Sequence, residues 1–283
     1  MKNILFPTDF SKAAKNAFVY ALKVAEKMNA QITILHVNQM PVLEVEGNPY
    51  PADIERIQES LEMEEMEAYK NGLTALKAIA KELGLETIPL QHIMEYGKVQ
   101  QTIIKVADEY DIDFIVMGTK GTGWLKEVFF GSNTGEVLEH ANCPVLAVPE
   151  KATFDNKIDK IAVTTEFLKK EKKVIREVLK FASWFDAVVH IINIDISHTH
   201  FYTKKMDELK KEFESFGDIH FIVINSDNLL EGLAQYLENN SFDIVGMTTH
   251  KRSFIQELFN YSKAKAMTYQ YNIPVLSIPT HTV

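Results

Sequence analysis

The 283-residue chain contains a single cysteine, Cys143. An intrachain disulfide is therefore excluded, and a reducing compartment is the expectation. Standing between Asn142 and Pro144, just before an apolar run, Cys143 reads as a small buried apolar residue rather than a nucleophile. Long apolar runs are missing too: nothing approaches the ~18 residues of a membrane span. The first residues carry one lysine and a short apolar run that breaks at Pro7-Thr8-Asp9, which is not the pattern of a secretory leader. Positive charge is scarce, with 30 Lys and Arg against 39 Asp and Glu, a net charge of −9 and a pI near 5.5. That balance argues against general nucleic-acid binding. The expectation is a cytoplasmic protein with neither nucleic acid nor membrane as partner. Two phosphate-binding signatures are also absent. Gly123 is followed by Trp124, where a Walker A loop needs Gly-Lys-Ser/Thr, and Gly121-x-Gly123 meets Lys126 where the dinucleotide fingerprint needs its third glycine.

What is present is ordinary for a globular chain: 46% hydrophobic and 24% charged residues, in a length that suits two domains. Strand and helix patterns alternate. Short apolar runs over Asn3 to Pro7, Gln31 to Val37, Thr87 to Ile93, Asp113 to Met117 and Val145 to Val148 read as strands. Between them, Ser11 is a candidate N-cap for a helix with Ala14, Phe18, Ala21, Leu22 and Ala25 on one face. A charge-rich helical pattern runs from Ile54 to Leu83 after a proline-bearing loop over Asn38 to Ala52, and another helix follows Gly97. Such alternation predicts right-handed crossovers and a parallel sheet, with ligands received beyond the carboxyl ends of the strands. Asp9, Val37 and Gly118 all follow or close strands and are expected to converge there.

The most informative stretch begins with the apolar run Phe114 to Met117, which ends in Gly118. Gly121 and Gly131 follow, and Gly131 is succeeded at once by Ser132-Asn133-Thr134 and a helical pattern reaching His140. Glycine lets backbone approach a ligand closely. A helix N-terminus offers N–H groups and a favourable dipole to an anion, and Ser132 and Thr134 add hydroxyls. Glycine spacing alone is equally consistent with a plain strand–loop–helix connection.

The full pattern Gly-x2-Gly-x9-Gly-Ser, set between a strand and a helix, resembles the ATP-binding motif of the universal stress protein family. The opening Ile4-Leu5-Phe6-Pro7-Thr8-Asp9 resembles that family's first strand with its terminal Asp, and His140-Ala141-Asn142-Cys143-Pro144-Val145-Leu146-Ala147-Val148-Pro149 its last helix end and strand. The resemblance covers residues 1–149 well. It implies ATP as ligand, with Mg²⁺. It also implies roles: Pro7, Thr8 and Asp9 at the ribose or adenine end, Val37 meeting adenine through its backbone, and Met117 and Gly118 along the nucleoside. Gly121 would approach ribose and phosphate, and Gly131, Ser132, Asn133 and Thr134 would hold the phosphates. Standing alone, Asp9 reads equally well as a partner for the dipole of the next helix.

A weaker copy fills the remainder. Pro144-Val145-Leu146-Ala147-Val148-Pro149 recurs as Pro274-Val275-Leu276-Ser277-Ile278-Pro279, Phe114-Ile115-Val116-Met117 as Ile244-Val245-Gly246-Met247, and Thr8-Asp9-Phe10 as Thr165-Glu166-Phe167. The expected organisation is a domain over 1–149, a linker over 150–157 and a second domain over 158–283, each a Rossmann-like, five-stranded parallel sheet flanked by helices. In the copy, Thr248, Lys251 and Tyr261 take the places of Gly118, Gly121 and Gly131, and only Ser262 is kept. The second domain therefore reads as degenerate for ATP. The Pro-Val-Leu strands leave apolar sheet edges, a liability unless covered, so Val145, Leu146 and Val148 are expected to pair antiparallel with Val275, Leu276 and Ile278. A homodimer would need a further surface.

Two loops carry weaker signals. Asp195, His198 and His200 form a loose metal-ligand spacing that reads better as an ordinary polar loop. His250, Lys251 and Arg252 form a small basic patch that reads better as solvated. Three functions fit the chain: an ATP-binding regulatory or stress-response protein, a slow ATP hydrolase, and a scaffold with a vestigial site. The intact first loop favours the first, and no general base can be nominated near a γ-phosphate, so no catalytic residue is assigned.

Overall fold

The computed structural model describes residues 1–38, 51–119, 132–199, 201–248, 257 and 272–280. Gly121, Gly131 and the basic patch at 250–252 lie outside the described residues. The first half runs β1 (Lys2–Pro7), α1 (Lys12–Met28), β2 (Ala30–Asn38), α2 (Pro51–Glu82), β3 (Leu90–Tyr96), α3 (Val99–Glu109), β4 (Phe114–Gly118), α4 (Ser132–His140) and β5 (Val145–Val148). The second runs β6 (Lys160–Thr164), α5 (Glu171–Ser183), β7 (Val188–Asp195), α6 (Phe201–Phe213), β8 (Ile219–Asn225), α7 (Leu229–Asn240), β9 (Ile244–Thr248) and β10 (Val275–Ile278).

Each half orders its strands as a doubly wound α/β unit, and all pairing within a half is parallel. The two five-stranded sets form one ten-stranded sheet, β3-β2-β1-β4-β5-β10-β9-β6-β7-β8. The joint is antiparallel, with Val275 opposite Ala147, Leu276 opposite Leu146 and Ser277 opposite Val145. Helices cover both faces. One apolar layer contains Phe6, Phe18, Leu146, Val163, Phe181 and Leu276, and the other contains Leu35, Ile115, Val145, Leu237, Val245 and Val275. Each layer thus takes residues from both halves, as a sheet buried on two faces demands.

The internal copy extends to single hydrogen bonds. Asn3 N donates to Asp113 Oδ2 at 2.8 Å, and Lys160 N donates to Asp243 Oδ2 at 2.8 Å. Thr8 N reaches Leu35 O at 2.9 Å, as Thr165 N reaches Ile192 O at 2.9 Å. Phe10 and Phe167 both take positive φ, at 57° and 62°, directly after these turns.

Some boundaries differ from the sequence reading, for local reasons. β3 starts at Leu90 rather than Thr87, because Pro89 has no N–H to give and uses its carbonyl to accept from Ile32 N at 2.9 Å. In the second half, α5 does not begin until Glu171. The Glu171 carboxylate turns back and accepts from Thr165 Oγ1 (2.9 Å), Glu166 N (2.8 Å) and Leu168 N (3.1 Å), which holds these residues in a loop. The connection after β5 is pinned to the body. Asn16 Nδ2 donates to Pro149 O at 3.1 Å and Ala152 O at 2.9 Å, and the Tyr20 and Phe154 rings meet edge to face at 4.8 Å. Cys143 is buried, and burial, aided by Asp108 and Asp113, pushes its thiol up to about 12, in keeping with a structural role.

One buried histidine links stability to pH. His190 on β7 is 5% exposed. Its Nδ1 lies 2.8 Å from Tyr236 Oη, and its ring stacks on His220 at 4.5 Å and meets Phe242 edge-on at 5.0 Å. Burial first, then the nearby His220 and Lys160, lower its pKa from 6.5 to about 4, with Asp218 working the other way. The unfolded chain therefore binds the proton first as pH falls. The stabilising contribution is complete above about pH 6.5 and is lost between there and about pH 4, by on the order of 2 kcal/mol. Urea unfolding at pH 7 and pH 4.5 should show this loss, and His190→Phe should flatten the pH dependence. Equal slopes for the two proteins would remove His190 as its source.

Candidate functional site

The candidate site lies at the carboxyl end of the first half's sheet, where β1, between β2 and β4, ends at Pro7 and leads into Thr8-Asp9. Thr8 is 8% exposed and fully engaged by the turn. Its N–H reaches Leu35 O, its Oγ1 accepts from Phe10 N at 2.9 Å, and its carbonyl meets His36 Nδ1 at 2.8 Å. A carbonyl only accepts, so His36 Nδ1 carries the proton. The turn leaves Asp9 exposed, with Oδ1 accepting from Ser11 N at 3.0 Å. Ser11 caps α1 by accepting from Ala14 N, so its hydroxyl satisfies one of the open donors of the first turn.

Behind Asp9 stands an aromatic wall absent from the sequence reading. The Phe10 ring lies 5.0 Å from His36 and 5.8 Å from Tyr69, and His36 lies 5.7 Å from Tyr69. Gly72 on α2 makes room for it: a Cβ there would stand 2.4 Å from Phe10 ring carbons. The positive φ of Phe10 was not visible in the residue type, although the Thr-Asp-Phe repeat at Thr165 marks the turn as a fixed device. On the next strand Val37 is half-buried and packs against the layer holding Leu35 and Ile103. Asn38 ends β2, donating through Nδ2 to Glu65 Oε2 at 3.1 Å and accepting Gly97 N at 3.0 Å.

On the other side β4 ends in Met117, 5% exposed, and Gly118. A Cβ on Gly118 would lie 3.2 Å from Ala13 C and O and 3.3 Å from Ala14 N. The residue is therefore small because the start of α1 lies on it. α4 then begins at Ser132, so its N-terminus lies at the same end of the sheet, with Asn133 half-buried. Thr134, expected as a phosphate donor, instead donates its Oγ1 proton to Gly118 O at 3.2 Å, and it is 3% exposed. The bond fastens the helix start to the strand end. Among the described residues no group of three or more His, Cys, Asp or Glu could hold a metal. In the loop read as polar, His198 Nε2 pairs with Asp227 Oδ1 at 2.7 Å and Asp195 Oδ1 accepts from Ser197 N at 2.9 Å, while His200 lies outside the described residues. No described helix is long and apolar enough to cross a membrane.

Two parallel, doubly wound α/β halves sharing one sheet define the class of fold. The universal stress protein family profile matches residues 1–149, and the chain belongs to that family. A universal stress protein of Methanocaldococcus jannaschii is 32% identical over 147 residues, covering 52% of this chain and 81% of its own length. A universal stress protein of Synechocystis sp. is 22% identical over 295 residues and spans 98% of this chain and 99% of itself, so tandem halves occur together in a relative. Among solved structures, a universal stress protein from Archaeoglobus fulgidus superposes over 98% of this chain and 96% of its own with a TM-score of 0.70 at 17% identity, a likeness of fold.

Proposed function

We propose that the protein is an ATP-binding regulatory member of its family, taking one nucleotide in the first half. The observation that carries this reading is the meeting of the Thr8-Asp9 turn, the end of β2 and the fastened start of α4 at one end of the sheet. In the proposed arrangement Asp9 bonds the ribose or adenine end, with Pro7 and Thr8 setting its turn. Val37 meets adenine through its backbone, and Met117 and Gly118 line the nucleoside. Gly121 and Gly131 bring backbone close to ribose and phosphates, while Ser132 and Asn133 supply donors from the helix N-terminus. Thr134 acts by holding α4 against β4. The phosphates would bring Mg²⁺ with them, since magnesium keeps much of its water shell and is commonly held through substrate phosphates. No residue is assigned to γ-phosphate cleavage.

The domains are taken as 1–149, a pinned linker over 150–157 and 158–283, joined in solution through β5 and β10, in the cytoplasm. The second half is assigned no ATP, because Thr248, Lys251 and Tyr261 replace the three glycines. Calorimetry on nucleotide-stripped protein should give about one ATP per chain with Mg²⁺ present. Gly131→Val should abolish the heat, because its side chain would occupy the phosphate path. No heat at millimolar ATP sinks the reading, and a stoichiometry near two sinks the assignment of the second half.

A further inference from the structure

The second half has a cleft of its own. It opens at the carboxyl ends of β6 and β7 and measures about 340 Å³. Its wall is mainly apolar, with Leu168, Ile192, Ile194, Ile196, Leu229 and Leu233, and the hydroxyls of Thr164, Thr165 and Tyr202 stand among them. Three of these side chains, Leu168, Ile196 and Leu229, are 43%, 57% and 41% exposed. Single exposed apolar residues are common, but here three surround one opening, the arrangement of a binding surface.

One polar group in this wall stands out. Asn193 is 4% exposed, and its Nδ2 donates to Thr165 O at 2.9 Å. The carbonyl can only accept, so the orientation of the amide is fixed and its oxygen is turned elsewhere. That Oδ1 is buried without a hydrogen-bond partner among the described residues. A stranded acceptor of this kind is costly, and a ligand donor that parts the wall side chains enough to reach it would satisfy it. The first half has no counterpart, because His36 occupies the matching position and spends its own N–H on Thr8 O. Among the described residues the lining holds neither lysine nor arginine, and its charged side chain is the Glu166 carboxylate at the exposed rim. A phosphate finds no cation among these described residues.

We propose that this cleft binds a small, mainly apolar ring compound that donates one uncharged N–H to Asn193 Oδ1. The site is separate from the proposed ATP crevice and does not rest on it. Indole and 1-methylindole are the probes: the same bicyclic ring with and without the donor. Titration of the full chain, followed by calorimetry, should show saturable indole binding at least ~10-fold tighter than that of 1-methylindole, since a site built around a hydrogen bond rejects the analogue that lacks it. Asn193→Leu should erase the preference between the two probes. Leu229→Trp, at the exposed rim, should plug the mouth and weaken indole binding at least ~10-fold with the fold intact, by the same loss of access to the pocket. Absence of saturable binding, equal affinity for both probes, or undiminished binding by Leu229→Trp overturns the proposal. Competition between ATP and indole also overturns it, by moving indole to the first half. Should Asn193→Leu fail to fold, the probe comparison and Leu229→Trp still decide.

Discussion

Gly118→Val should lower both the stability of the protein and the ATP affinity proposed for its first half. The added Cβ would stand 3.2 Å from backbone atoms of Ala13, which cannot rotate aside as a side chain would. Overpacking of this kind costs about 1–3 kcal/mol. In a chain of this size that is a fall in Tm of roughly 5 °C. The start of α1 must move, and with it Ser11 and the Asp9 turn it steadies. Thr134 would lose its bond to Gly118 O as the strand end shifts. ATP affinity should drop at least ~10-fold, a loss of about 1.4 kcal/mol. Gly118→Ala carries the same Cβ without the branches and should fall between. Calorimetric unfolding and ATP titration read the two effects separately. An unchanged Tm in Gly118→Val would show that the approach of α1 imposes no constraint, and an unchanged affinity would detach Gly118 from the nucleotide.

The second large effect concerns the joint between the halves. Leu276 stands opposite Leu146 across the antiparallel pair and opposite Gly246 across the parallel one, and both leucines are fully buried. Leu276→Pro removes a ladder donor and forces a ring into this contact, at a cost of about 3 kcal/mol or more by analogy with proline inside other regular structure. Leu146→Pro attacks the same joint from the other side. The native chain should scatter X-rays as one rigid body whose sheet spans roughly 40 Å across ten strands at about 4.8 Å spacing. Each proline variant should give a longer particle with two independently moving lobes, or lose its folded state outright. A variant that keeps the native scattering profile and native unfolding midpoint would show that the joint contributes little.

The strands at this joint were fully legible in the sequence. Val145–Val148 and Val275–Ile278 are short apolar runs bracketed by prolines, and their bounds in the structure match that pattern. The parallel α/β character was legible for the same reason: apolar runs alternate with amphipathic helices, and no competing pattern exists. β3 was not, because Ile88 continues an apolar pattern that Pro89 then interrupts at the level of hydrogen bonding. The start of α5 was hidden because a side chain, Glu171, competes for the backbone donors before it. At the candidate site the residue types were visible but their directions were not. Thr134 displays a hydroxyl in the sequence, and only the fold turns it onto Gly118 O. Gly118 was assigned to a ligand, and the structure adds a helix backbone against it. His36 looked like one more strand residue. Its function as a clasp on Thr8 O depends on the register of β1 against β2, a relation between residues 28 positions apart.

The antiparallel joint has a geometrical consequence for how the molecule meets its surroundings. All strands of one half point one way, and those of the other half point the opposite way. The carboxyl ends of β1 and β4 and those of β6 and β7 therefore open on opposite rims of one continuous slab. A binding partner gripping the first crevice leaves the second facing outward on the far side. Were both proposed sites filled, their occupants would stand on opposite rims of the shared sheet, facing away from each other.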